Sequence, residues 1–77
     1  MRESNFTQTL ADRVRSRRKD LDLSLEQVAQ LAECGLKFVF ALEHAKPTLR
    51  LDKVLDVLNV LGLDLDVIGR ATEPRAD

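Results

Sequence analysis

A chain of 77 residues holds one domain, and its near balance of 12 Lys+Arg against 13 Asp+Glu argues against reading the total charge as a nucleic-acid signature. No run approaches the roughly 20 apolar residues of a membrane span, and Met1-Arg2-Glu3-Ser4-Asn5 has no apolar signal core, which points to a cytoplasmic protein. The lone Cys34 excludes an internal disulfide and a multi-cysteine metal site.

With 44% apolar and 32% charged residues the composition is globular, and a domain this short buries only about 60% of its unfolded surface. Pairing with a second copy is one remedy for the marginal stability that follows. Charge is polarised along the chain. Five basic residues (Arg13, Arg15, Arg17, Arg18, Lys19) fall within 13–19, whereas Arg50 to the end holds four basic and six acidic groups. The basic run is either a solvated helix face or a set of phosphate contacts.

In chain order, residues 1–6 read as a flexible arm, with Thr7 as N-cap of a first helix reaching about Lys19. Phe6, Leu10 and Val14 form its inward stripe. Asp20 to Leu23 breaks the pattern, and Asp22 suits a left-handed turn. Ser24 and Gln27 form a capping box for a second helix, Leu25 to about Ala32, whose buried side is Val28, Ala29, Leu31 and Ala32. Glu33-Cys34-Gly35 interrupts the chain, and a third helix spans about Leu36 to Glu43 with Val39 and Leu42 inward and Phe38 beside them.

Pro47 makes 45–48 a loop. The fourth helix runs from about Leu51 to Leu61. Leu51, Val54, Leu55, Leu58 and Leu61 form its apolar face, and Val57 and Val60 widen it. Gly62 is a C′ stop. Leu63 to Val67 alternates with strand period, and such a strand needs a neighbour for its backbone groups. The domain therefore spans 7–69, and 70–77 reads as a disordered tail.

Helix, three-residue break, helix is the helix-turn-helix arrangement. The second of the pair fits the roughly 12 Å major groove while the first braces it. A generic three-helix packing unit is the competing reading of the same pattern.

On these residues the chain resembles the Cro/C1-type (XRE) helix-turn-helix family, over about residues 10 to 68. Val14-Arg15 with Arg18 match its first helix, and Ser24 to Ala32 its second. Val39-Phe40-Ala41-Leu42-Glu43 match the end of its recognition helix. Lys46-Pro47-Thr48-Leu49 followed by Leu51 to Gly62-Leu63 is similar to the HipB-like antitoxin repressors.

The resemblance implies an all-α, lambda-repressor-like bundle of four to five helices with a short C-terminal β-strand. It implies an Arg18–Glu43 ion pair tying helix one to the end of helix three. It places DNA contacts at Gly35, Leu36, Lys37, Phe40, Ala41 and His44, with Arg15, Arg17, Lys46 and Arg50 as candidate phosphate contacts. Lys37 suits a guanine edge or a phosphate, and Leu36 and Ala41 a thymine methyl. Phe40 suits sugar and methyl groups or a half-core position. His44 suits a phosphate or a plain surface role.

Two positions depart from the family. Leu25 stands where many relatives carry a phosphate-binding Gln. Glu33 stands where many carry Gly, with mild strain if φ is positive there. Cys34 reads as packing in preference to a redox role.

By the same resemblance, Leu63, Leu65, Val67 and Ile68 would pair with their copies across a two-fold axis, with Val57 and Val60 beneath. The homodimer would bind double-stranded DNA at a palindromic operator. The HipB-like branch also implies a HipA-like serine/threonine kinase toxin as partner. The product would be a repressor and antitoxin, or alternatively an interaction module of the same fold that binds a toxin without binding DNA. No paired acid and base, oriented nucleophile or Gly-rich phosphate loop marks an enzyme, and no metal or cofactor is expected.

Overall fold

A computed structural model describes residues 4–67. They form four helices: α1 (Ser4–Asp20), α2 (Leu25–Ala32), α3 (Leu36–Glu43) and α4 (Leu51–Val60). Residues 1–3 of the expected arm, Ile68 of the expected strand and the 70–77 tail lie outside the described residues.

Helix α1 packs on α3, and α2 packs on both α3 and α4. The shared core is Val14 from α1, Val28, Ala29 and Ala32 from α2, Val39 and Leu42 from α3, and Val54, Val57, Leu58 and Leu61 from α4 and its end. The small residues Ala29 and Ala32 sit where α2 meets its neighbours, and Ala11 is fully buried in α1.

The four helices end alike. In each, the residue that closes the turn donates its N–H to the carbonyl five residues back, and the residue before it adopts a left-handed conformation. For α1 the bond is Leu23 N–H to Arg18 O, with Asp22 at φ 60°. For α2 it is Cys34 to Ala29, with Glu33 at φ 55°. For α3 it is Lys46 to Ala41, with Ala45 at φ 58°. For α4 it is Leu63 to Leu58, with Gly62 at φ 71°. The expected Asp22 and Gly62 stops are in place, and the conditional strain at Glu33 is real. Ala45 adds a third non-glycine residue in this region.

Helix α2 starts at the expected box. Gln27 N–H donates to Ser24 Oγ at 3.0 Å, and Ser24 N–H donates to Gln27 Oε1 at 2.8 Å.

Four expectations change. First, α1 begins at Ser4, so Thr7 lies inside the helix and does not cap it. Nothing in Asn5-Phe6-Thr7 breaks a helix, and Phe6 lies one turn before Leu10, a spacing that favours continuation. Second, Leu31 is 60% exposed and not part of the buried side. At 3.6 residues per turn, Val28, Ala29 and Ala32 define the buried arc and Leu31 falls beside it.

Third, the apolar face of α4 is centred on Val54, Val57, Leu58 and Leu61, while Leu51 and Leu55 point outward at 58% and 43% exposure. Val57 belongs to this chain's own core, so it offers no surface to a partner; Val60 is half-buried. Fourth, residues 63–67 form no strand. A single chain has no free neighbouring backbone to complete a ladder, and Leu63 and Leu65 lie half-buried against the core.

Candidate nucleic-acid interface

The short helix α3 is buried on one side only. Val39, Leu42 and Glu43 face the core. Leu36, Lys37, Phe40 and His44, at three- and four-residue spacing, share the exposed side, with Ala41 half-buried at its edge. Gly35 is the N-cap; its backbone is extended and α3 has no side-chain cap. Phe38 N–H closes on the Gly35 carbonyl at 3.1 Å, and the Leu36 and Lys37 N–H groups before it suit water or an anionic ligand.

Two arginines of α1 hold the far end of α3. Arg18 Nε donates to Glu43 Oε2 at 2.6 Å and Arg18 Nη2 to Oε1 at 3.0 Å, a bidentate fork. Arg18 Nη1 also donates to the Leu23 carbonyl at 2.9 Å. Burial would disfavour the Arg18 charge, but the bond to Glu43 outweighs it and holds the guanidinium pKa above its ordinary value. Arg15 Nη2 donates to the Glu43 carbonyl at 3.0 Å, where the negative end of the helix dipole favours a cation.

The proposed phosphate contacts are thus of three kinds. Arg15 is half-buried and bonded to the end of α3. Arg17 Nε donates to the Leu61 carbonyl at 2.8 Å, so its head lies at the end of α4. Arg50 pairs with Asp52 at 2.7 Å on the surface, and that bond holds the Asp52 carboxyl below the usual carboxylate range. An exposed pair of this sort is worth little and gives way to a phosphate readily. Lys46 is exposed.

Lys37, Ala41, Lys46 and Arg50 line one shallow groove of about 270 Å³ along α3, together with Phe38, Thr48 and Leu49. Thr48 was not singled out from the sequence. A hydroxyl two residues beyond Lys46, in a loop opened by Pro47, is the signal that could have found it. The structure therefore gathers the α3 and loop candidates at one face and draws Arg17 away to structural work.

Phe40 is 51% exposed, so it stands outside the core. Its ring stacks on that of His44, with centroids 3.8 Å apart and planes 23° from parallel. His44 Nδ1 lies 2.7 Å from the Phe40 carbonyl oxygen. Glu33, exposed at the turn before α3, lines a separate groove with Leu31, Ala32, Lys53, Asp56, Asn59 and Val60 between α2 and α4, so its charge is not among the groups lining the α3 groove. Cys34 is half-buried, and burial pushes its thiol pKa up, which lowers its reactivity.

Among the described residues no cluster of His, Cys, Asp and Glu could hold a metal ion, and no helix is long and apolar enough to cross a membrane. No family model matches the chain. It is similar to an uncharacterized HTH-type transcriptional regulator, y4mF, of Sinorhizobium fredii, with 42% identity over 55 residues. That alignment spans 71% of this chain and 72% of the relative. With this likeness added to a half-exposed third helix braced from α1, the chain belongs to the HTH-type transcriptional regulators.

Proposed function

We propose that this chain is a sequence-specific DNA-binding repressor of the Cro/C1-type class. It acts as a homodimer on a palindromic operator, in the cytoplasm, with no catalytic activity of its own. Within that class we assign it to the HipB-like antitoxins, with a HipA-like serine/threonine kinase as toxin partner.

The observation that carries the DNA reading is the one-sided burial of α3. Its inner residues are locked to α1 and α2, and its outer stripe of Leu36, Lys37, Phe40 and His44 is open beside Lys46. A rigid, exposed helix flanked by cations suits a major groove. The relative's designation as a transcriptional regulator supports the same reading. The antitoxin assignment rests on the resemblance of the 46–63 segment alone. A kinase-like reading frame beside the gene would support it; unrelated neighbours on both sides would count against it.

A second reading has an observation in its favour. Leu36 and Phe40 make much of the exposed stripe apolar, and Arg15, Arg17 and Arg18 are all engaged within the fold. A protein-interaction module of the same fold would look like this.

Salt titration on a random duplex separates the two. A DNA binder loses affinity with a log–log slope of about −0.9 per phosphate neutralised. Lys37→Ala is expected to reduce that slope by about one if Lys37 meets a phosphate, or to cost roughly 1–3 kcal/mol on the operator if it reads a base. Absence of binding at low salt would reject the repressor and leave the interaction module.

A further inference from the structure

The Phe40–His44 pair fixes which chemistry His44 can offer. A carbonyl oxygen only accepts, so the 2.7 Å contact with the Phe40 carbonyl requires the proton on Nδ1. In the neutral imidazole, Nε2 then carries the lone pair. Both nitrogens sit in a ring whose tilt is set by the stack on Phe40. In that neutral form the free ring nitrogen of His44 is an acceptor, on a ring held in place by the stack. An acceptor is repelled by a phosphate oxygen and is suited to an amino group.

Resting on the DNA-binding reading above, we propose that Phe40 and His44 form one base-reading unit. The Phe40 ring takes a thymine methyl. The Nε2 of His44 accepts from an exocyclic amino group in the major groove, which only adenine N6 and cytosine N4 supply there. The ring centroids lie only 3.8 Å apart, so the two rings reach one small patch and address one base pair or two adjacent ones. The preformed stack leaves few side-chain torsions to freeze on binding. It supplies selectivity to a helix whose exposed stripe otherwise offers Leu36 and Lys37.

The test selects duplexes from a random pool with the full chain at about pH 8, above the ordinary imidazole range. The selected site is expected to fix a thymine and, at that pair or the next, one identity and orientation of the base pair, so that a single amino group (adenine N6 or cytosine N4) stands at one place in the groove. Replacing that thymine by deoxyuridine removes only the methyl and should weaken wild-type binding roughly four-fold. The same replacement should leave Phe40→Ala unaffected.

Replacing adenine by purine, or cytosine by pyrimidin-2-one, deletes the amino group and tells the two sources apart. One of them should weaken wild-type binding roughly five-fold. Neither should affect His44→Phe, which keeps an aromatic stack and lacks the acceptor. Thermal melts check that both variants fold. The unit is overturned if wild type and variants select one site and respond alike to the base changes. It is equally overturned if His44→Phe lowers the salt slope by about one, which would make His44 a phosphate contact. If no duplex binds at low salt, the DNA reading fails first and this unit with it.

Discussion

Between α1 and the end of α3, a guanidinium 14% exposed faces a carboxylate 4% exposed. Arg18 meets both oxygens of Glu43 and the Leu23 carbonyl, so each buried polar atom of the pair has a partner. Removing Arg18 strands a carboxylate in the core, and that is the costly direction of change. We expect Arg18→Ala to lower unfolding free energy by about 3–5 kcal/mol, read from urea melts. A domain of this size has on the order of 4–12 kcal/mol in total, so the loss takes a large share of the stability and unfolds much of the population only at the low end of that range. Arg18→Lys should recover only part, because an ammonium cannot hold both oxygens and the Leu23 carbonyl in one plane. A loss under about 1 kcal/mol for Arg18→Ala would mean that water already reaches the pair. The neighbouring arginines look alike in sequence but sit differently. Arg15 keeps an exposed flank, while the Arg17 head lies over the end of α4.

At the scale of helices, the repeated left-handed stop is the feature most open to measurement. Glycine occupies it once, at Gly62; Asp22, Glu33 and Ala45 fill the others. An L side chain there costs roughly 1 kcal/mol, and least for Asp, whose short polar group bonds locally. Ala45→Gly and Glu33→Gly should each raise the stability by up to about 1 kcal/mol, with part of the gain offset by the freedom glycine adds to the unfolded chain. Gly62→Ala should do the reverse. Its Cβ would stand 3.3 Å from Arg17 Nη2, so the guanidinium would have to give by a few tenths of an ångström, and φ of +71° strains any L side chain there. Melting curves that rank the three substitutions otherwise would show that these turns are not held at positive φ.

The same helix ends explain what the sequence makes legible. Ser24 with Gln27, Asp22 and Gly62 act through neighbours a few residues away, so they mark boundaries directly. The end of α1, the start of α2 and the end of α4 follow from them. The start of α1 is hidden because no breaker precedes Leu10. The inward face of α4 is hidden because apolar residues surround most of the helix, and only the packing of α2 decides between Val57 and Leu55. The tasks of Arg15 and Arg17 are hidden for another reason. Their carbonyl partners lie 28 and 44 residues away, beyond any local pattern.

For the molecule as a whole, the apolar surface is unevenly spread. Phe6, Leu10 and Leu65 border two adjoining grooves, one toward Leu58 and Leu63, the other toward Leu49, Leu51 and Val54. Leu51, which lines the second groove, is exposed, as are Leu55 on the next turn of α4 and Val67, the last at 91%. A marginal domain gains most by covering this side, and residues 63–67 have backbone groups that a second copy can pair with. The proposed homodimer therefore places its contact on Leu63, Leu65 and Val67 with Val60 beneath, and leaves Val57 out. Truncation after Gly62 should convert dimer to monomer, read by sedimentation against a chain mass of 8.7 kDa. Truncation also deletes the Leu63 N–H bond to Leu58 and two half-buried leucines, so loss of folding would give a similar result. Val67→Glu removes that ambiguity. Its side chain is almost fully solvated in the single chain, so the fold should melt unchanged while the dimer weakens by like-charge opposition across the two-fold axis. A Val67→Glu chain that keeps full dimer mass at micromolar concentration would place the contact elsewhere, with the exposed Leu51 and Leu55 of α4 the next surface to test.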